Sequence, residues 1–269
     1  MVMLVKANGE RVLFDEMRLL RSLMNSGAEN YIAERVLDKI RPQIVDGIAT
    51  KKLYSLAFKA LRKIDNPSAS RYELKWAIMR LGRGRQGFSF EQYAGSLFRR
   101  MGYNVKLNQL VKGKSGVIHE VDLVAEKQGE RIMVECKHRS KPGIWINVHT
   151  PLYVYARFMD LNKRFTSAAV VTNSRFSTQS EMYAKSVGLR LLGWNYPIKE
   201  SLKDLADKYA VYPVTVLGSI DNNMLSNLLD RELVTVADIM AVPKDSLSGM
   251  FGQENAIKIY KEATKLLLS

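Results

Sequence analysis

Two stretches near the middle of the chain alternate apolar and charged residues with the period of a β-strand, and they narrow the choice of fold more than any other feature. In Ile118-His119-Glu120-Val121-Asp122-Leu123-Val124, Val121 and Leu123 fall on one side, and Glu120 and Asp122 on the other. In Glu130-Arg131-Ile132-Met133-Val134-Glu135-Cys136-Lys137, the apolar side holds Ile132, Val134 and Cys136, and Glu135 and Lys137 share the opposite side. A turn through Glu126 to Gly129 lets the two stretches pair as a hairpin, which stands Asp122 beside Glu135.

Around this hairpin the pattern predicts an α/β unit. Ser89 reads as the cap of a helix with Phe90, Tyr93, Ala94, Leu97 and Phe98 at helical spacing, ended by Gly102. Strands are expected at 103–107, 117–125 and 131–137, and a helix near 150–163. A buried strand from Ala168 to Val171 leads to a helix over 177–186, then to a strand from Leu189 to Leu192. The order describes a mixed sheet flanked by helices.

On the N-terminal side, residues 2–6 and 10–14 flank Asn8-Gly9, a dipeptide suited to a tight hairpin turn. Asp15 should cap a helix ended by Gly27, and a second helix should cover 29–41. Thr50 reads as the cap of a third helix running to about Ile64, Asn66-Pro67-Ser68 as a break, and about Ser70 to Leu81 as a fourth. Three glycines in Gly82-Arg83-Gly84-Arg85-Gln86-Gly87, with no apolar side chain, suggest a linker or a basic strap. From about Glu200 onward the pattern is helical. The expected domains are 1–82, a linker at 83–87, 88–200, and 201–269.

The chain has 269 residues and a net charge of +14. Residues 1–87 and 88–200 each hold seventeen Lys and Arg against nine acids, whereas 201–269 hold seven against nine. The basic excess of the first two regions suits a polyanion such as DNA, because Lys and Arg displace counterions from phosphates. No apolar run reaches the roughly 18 residues a membrane span needs, so no membrane role is expected. The N-terminus lacks the layout of a signal peptide, and Cys136 is the only cysteine, which together point to the cytoplasm.

Two converging carboxylates form a hard-oxygen site suited to Mg²⁺ or Mn²⁺. Such an ion polarises a phosphoryl oxygen and activates water, and a lysine one strand step away can stabilise developing charge. Asp122, Glu135 and Lys137 are therefore the candidate centre for phosphodiester hydrolysis. Downstream, His138, Arg139, Lys141, Arg157, Lys163, Arg164 and Arg175, with Trp145 among them, offer a basic surface with an aromatic for tracking phosphates.

Residues 89–200 resemble the Mrr-type branch of the PD-(D/E)xK nuclease superfamily. The matching segments are F-E-Q-Y-A-G-S-L-F-R-R-M-G-Y at 90–103, E-V-D-L-V at 120–124, V-E-C-K at 134–137, V-V-T-N-S-R-F at 170–176 and A-K-S-V-G-L-R-L-L-G-W at 184–194. The resemblance implies a restriction-endonuclease-like core, metal ligation by Asp122 and Glu135, and a catalytic role for Lys137. Glu91 matches a position that supplies another metal-site carboxylate in related nucleases. Glu120 is a candidate auxiliary ligand, and His119, on the apolar side, reads as structural. Val121 stands where related enzymes often carry proline, and Glu135 where many Mrr-type members carry Gln.

Residues 2–81 resemble the ATP-cone, a small, mostly helical nucleotide-sensing domain. The match lies in Val5-Lys6 before Asn8-Gly9, in Val12-Leu13-Phe14-Asp15 opening a helix with Arg18 and Arg21, in Asp46 to Thr50, and in Arg71-Tyr72. It implies ATP or dATP as a regulatory ligand at Val5, Lys6, Asn8, Gly9, Phe14, Arg18 and Arg21, with Lys6, Arg18 and Arg21 on the phosphates. No Walker-type loop accompanies it, so hydrolysis of the nucleotide is not expected. Leu229 to Ile239, with Gly249-Met250-Phe251-Gly252, faintly resembles a helix-hairpin-helix unit, whose amides could hold a DNA phosphate. Packing or homodimerisation is the other role open to this net-acidic region. The leading expectation is a DNA endonuclease regulated by ATP or dATP. The alternatives are a non-catalytic, nucleotide-responsive DNA-binding protein and a regulator of ribonucleotide metabolism.

Overall fold

The computed structural model describes residues 2–6, 8–83, 88–161 and 163–268, apart from the side chains of Asn66 and Arg83. The chain forms two compact units, Met1–Leu74 with Thr264–Ser269, and Lys75–Ala263.

In the first unit, β1 (Met3–Val5) and β2 (Arg11–Leu13) pair antiparallel across the Asn8-Gly9 turn, where Gly9 takes the left-handed φ of 84° that the turn requires. Asp15 caps α1 (Glu16–Met24) by accepting from the Arg18 amide at 3.1 Å. Next come α2 (Asn30–Ile40) and β3 (Ile48–Ala49), which joins β1 in parallel, then α3 (Thr50–Ile64) and α4 (Asn66–Arg80). The apolar stripes of the first three helices meet in a core where Leu23, Val36, Ala57 and Leu61 are wholly buried.

Two local expectations are corrected. Ala49, not Thr50, occupies the cap position of α3; the Thr50 hydroxyl instead donates to the Val5 carbonyl at 3.1 Å, tying α3 to β1. Asn66-Pro67-Ser68 does not break a helix but opens α4, because proline in a first turn forfeits no helical hydrogen bond. Asp65 alone separates α3 from α4.

The second unit is built on a five-stranded sheet. After α5 (Phe88–Arg100) come β4 (Asn104–Lys112), β5 (Ile118–Lys127), β6 (Glu130–Lys137), α6 (His149–Asp160), β7 (Ser167–Thr172), α7 (Thr178–Val187) and β8 (Arg190–Leu192). The strands lie in the order β4-β5-β6-β7-β8, antiparallel in the first two pairs and parallel in the last two. The fold is the mixed α/β, restriction-endonuclease-like core expected. Strand β7 is buried along nearly its whole length, in keeping with its unbroken apolar run, whereas β4 alternates exposed and half-buried residues. Ser89 is buried inside α5 and does not cap it, and β4 runs five residues past the expected 107.

The remaining helices are α8 (Leu202–Lys208), α9 (Asn222–Asp230), α10 (Val236–Ala241), α11 (Lys244–Phe251) and α12 (Gln253–Leu267). Residues up to 263 fall in the same compact unit as the sheet. The Tyr93 hydroxyl on α5 donates to the Val211 carbonyl at 2.9 Å, and the Thr215 hydroxyl to that of Ala77 at 2.6 Å. The amides of Val234 and Thr235, at the turn that resembles a helix hairpin, are taken by the Asp238 carboxylate at 3.1 and 2.7 Å. A phosphate at that turn would have to displace an internal capping box.

Only the first residues of the stretch expected to be a linker are described. Leu81–Arg83 forms a 3₁₀ turn, and a Cβ at Gly82 would lie 2.5 Å from the His138 ring. Residues 84–87 lie outside the described residues. No helix of the described chain is long and apolar enough to cross a membrane.

Candidate active site

Asp122 and Glu135 stand where the sheet opens. The β5–β6 ladder ends at the pair Leu123–Val134, one step short of Asp122–Glu135. Beyond that point β5 continues to pair with β4, and β6 continues beside β7 as far as Lys137–Thr172. Asn108, across from Asp122 in the β4 register, takes a φ of 50° and the pair is absent from the ladder. The Asp122 carboxylate fills the opening by accepting the Cys136 amide at 2.7 Å. One carboxylate is thus tied to the backbone of the neighbouring strand where the ladder has ended.

Glu135 is 4 % exposed, and both of its oxygens are occupied. Oε1 takes the Lys137 ammonium at 2.5 Å and the Tyr153 hydroxyl. Oε2 takes a guanidinium nitrogen of Arg157 at 2.6 Å, and the same nitrogen donates to the Glu120 carbonyl at 3.1 Å. Tyr153 and Arg157 are four residues apart on α6 and so share a helix face. The cations of Lys137 and Arg157 lie 5.6 and 5.4 Å from the centre of the Tyr153 ring. Val154 of α6 is buried with Met133 and Val170, which seats the helix on this face of the sheet.

Charge crowding shows in the proton affinities. Burial, then repulsion from Glu135, raises the Asp122 carboxyl to about 6, against the pull of the Cys136 amide, Lys137 and Arg157. Burial, followed by Asp122, Glu120 and Glu135, raises Glu91 to about 7. Burial alone would lower the Lys137 ammonium, but its bonds to Glu135 and Tyr153 outweigh that and hold it charged. Burial and the bond to Glu135 raise the Tyr153 phenol to about 12.

Glu91, in the first turn of α5, is close enough to feel the three other carboxylates but forms no ligand group with them. Among the described residues no three Asp, Glu, His or Cys side chains come close enough to hold a metal. The donor chemistry nevertheless fits a hard divalent ion. Asp122 and Glu135 are adjacent oxygen donors, one half-buried and one buried, and partial burial with repulsion from Glu135 disfavours ionisation of Asp122. Glu120 is exposed on the strand leading into the opening.

His119 is structural, as its alternation suggested. Its Nε2 donates to Asp160 at 2.7 Å, and that carboxylate also takes the Ser115 amide and hydroxyl at 2.9 and 2.7 Å. His138 donates to the Ile78 carbonyl at 3.0 Å and packs against Phe90, so it is structural rather than part of a phosphate-facing surface. Arg139 exchanges two backbone bonds with the Asn173 side chain. Lys141, Lys163, Arg164 and Arg175 are exposed, as is Trp145. Sequence reasoning missed Tyr153 and left Arg157 among the surface cations; the four-residue spacing on one amphipathic helix was the signal available.

The first unit contains a cavity of about 240 Å³. Of the residues expected to bind nucleotide, Lys6, Phe14 and Arg18 line it, while Val5, Asn8, Gly9 and Arg21 do not. Asn8 caps its own turn by accepting from the Glu10 amide, Lys6 pairs with Glu10 at 3.1 Å, and Arg21 lies 3.8 Å from Asp15. Tyr54, not foreseen, and Tyr72, named in the resemblance without a binding role, also line it, and their rings stack at 4.7 Å with 11° between their planes.

Fold and site together define a restriction-endonuclease-like domain, and comparison with known proteins agrees. Residues 83–194 match the family model Mrr_cat, described as restriction endonuclease. An uncharacterized protein of Archaeoglobus fulgidus is 35% identical over 173 residues, which cover 64% of this chain and 98% of that protein. The chain belongs to the family of that protein and carries an Mrr_cat restriction endonuclease domain. A crystal structure of a protein of unknown function, AF1548, superposes with a TM-score of 0.58 at 34% identity, over 67% of this chain and 97% of its own. MspJI restriction endonuclease, solved with a 27-mer oligonucleotide, is a looser likeness, with a TM-score of 0.35 at 16% identity over 54% of this chain and 36% of its own.

Proposed function

We propose that the second unit is a metal-dependent DNA endonuclease whose centre is Asp122, Glu135 and Lys137. The observation that carries this reading is the parting of β5 from β6 at a pair of carboxylates, Asp122 half-buried and Glu135 buried, with a lysine two residues along the same strand. Asp122 and Glu135 would hold Mg²⁺ or Mn²⁺, with Glu91 as a further carboxylate within electrostatic reach. When bound, the ion supplies a polarised phosphoryl oxygen and an activated water. Lys137, kept charged by Glu135 and Tyr153, meets the negative charge that develops on the phosphate. The exposed lysines and arginines of this unit suit a DNA backbone.

Purified protein should nick or cut plasmid DNA with Mg²⁺ or Mn²⁺, and Asp122→Ala and Lys137→Ala should each lower the rate by at least about a thousandfold. Equal activity in all three proteins would remove this centre.

The first unit, in the same reading, senses ATP or dATP and regulates cleavage. Lys6 and Arg18 beside Phe14 and the stacked tyrosines combine cations with apolar and aromatic surface, as a nucleotide requires. The cavity is at the small end for a whole nucleotide, so it suits a base and sugar with the phosphates directed outward. Calorimetric titration with ATP and dATP tests this, and failure of both to bind would remove the regulatory reading alone.

One observation favours the second reading, a non-catalytic nucleotide-responsive DNA-binding protein. Both oxygens of Glu135 are already engaged, by Lys137, Tyr153 and Arg157. That reading predicts salt-sensitive DNA binding that Asp122→Ala leaves unchanged, with no cleavage in any divalent ion.

A further inference from the structure

We infer that Arg157 and a divalent cation are alternative occupants of Glu135, so that Arg157 sets the affinity of the site for its metal. This rests on the nuclease reading and goes beyond it, because it assigns to an α6 residue a role outside the Asp-Glu-Lys centre. A carboxylate offers about four lone-pair positions, and three at Glu135 are used. The occupant of Oε2 is a full positive charge at 2.6 Å. With Asp122 ionised, the two carboxylates are balanced by Lys137 and Arg157. A divalent ion entering beside them meets two cations and competes with them for Glu135.

The two cations are not equivalent. Lys137 comes from the same strand as Glu135, two residues on, and its ammonium is held by both Glu135 and Tyr153. Arg157 reaches in from a separate helix and has other contacts, the Glu120 carbonyl and the Tyr153 ring. Its side chain is partly exposed. The guanidinium can therefore leave Oε2 without losing every partner. A planar guanidinium freed there is suited to pair with a phosphate. Arg157 is accordingly a positioning residue that keeps the metal-free site neutral and yields Glu135 to the ion.

The test is calorimetric titration of the full chain with Mn²⁺ in the absence of DNA, on the wild type, Arg157→Gln and Arg157→Lys. Gln removes the charge and keeps a hydrogen-bond donor, and circular dichroism checks that each variant is folded. Arg157→Gln is expected to bind Mn²⁺ about tenfold more tightly than wild type, and Arg157→Lys to stay near wild type. Equal or weaker binding by Arg157→Gln, with Mn²⁺ bound normally by wild type, overturns this inference alone. If Arg157→Gln does not fold, Arg157→Lys and Arg157→Met are compared instead, and equal Mn²⁺ affinity in the two overturns it as well. Absence of Mn²⁺ binding from every folded variant overturns the metal-dependent nuclease reading and this inference with it.

Discussion

The two regions that carry chemistry are built in opposite ways. The sheet site draws on residues from three separate elements, packed around one buried carboxylate, Glu135, and bonded to one another. The cavity of the first unit is open, and its cationic residues are exposed or half-buried and paired only locally. Lys6 meets Glu10 four residues away, and Arg18 serves α1 through its backbone amide. A site assembled by strand register comes with its geometry set and its charges neutralised inside. A site made as a gap between helices and a small sheet leaves its charges for the ligand.

The largest test of that contrast is Asp122→Asn. It should lower cleavage by at least about a thousandfold, because a neutral amide is a poor ligand for a hard cation. The same substitution should stabilise the metal-free protein. The folded carboxyl titrates near 6, above its ordinary value of 3.8. The native state thus binds more protons than the unfolded state between those values, so stability falls as pH rises through that window, and the cost persists above about pH 6. Asn removes that cost and still accepts the Cys136 amide. The expected gain is about 2 kcal/mol at pH 8, shrinking to nothing below about pH 4. Melting in EDTA at several pH values measures it, and a gain independent of pH would contradict the charge crowding proposed for the site.

Phe14→Ala probes the other region. Phe14 lines the cavity and is only half-buried, so the substitution should spare folding more than it spares ligand binding. ATP or dATP affinity is expected to fall about tenfold, the order of one aromatic contact. Calorimetry reads this directly; unchanged affinity would place the nucleotide elsewhere.

How much of this the sequence made legible follows the same divide. Period-two alternation reveals which of Glu120, Asp122, Glu135 and Lys137 share a face, because the strand itself enforces it. It does not reveal that the ladder stops at Leu123–Val134, since that depends on Asn108 and on the separate partners of β5 and β6. Tyr153 and Arg157 were legible only as neighbours on one helix face, for a different reason. Their helix was visible, but the side it presents to the sheet is decided by packing at Val154. In the first unit the Asn8-Gly9 turn and the Asp15 cap were legible as local chemistry. The pocket was not, because it depends on Tyr54 and Tyr72 meeting from α3 and α4. Asn66-Pro67-Ser68 was misread because the same residues that end one helix can begin another.

The smallest effect discriminates most finely. If the sheet site is one bonded unit, substitutions within it should not add. Lys137 and Tyr153 both hold Oε1 of Glu135 and contact each other, so removing either loosens the other. In a thermal-stability cycle of Lys137→Met and Tyr153→Phe, a coupling of about 1 kcal/mol is expected. The equivalent cycle in the first unit joins Lys6→Ala with Arg18→Ala. Both side chains border the cavity, but Lys6 is paired with Glu10 and not with Arg18. Their effects should add to within about 0.5 kcal/mol in the absence of nucleotide. Saturating ATP then supplies the shared partner that the protein lacks, and the coupling should rise. Strong coupling between Lys6 and Arg18 without nucleotide would mean that the cavity is as preorganised as the sheet site, and the contrast between the two regions would fail.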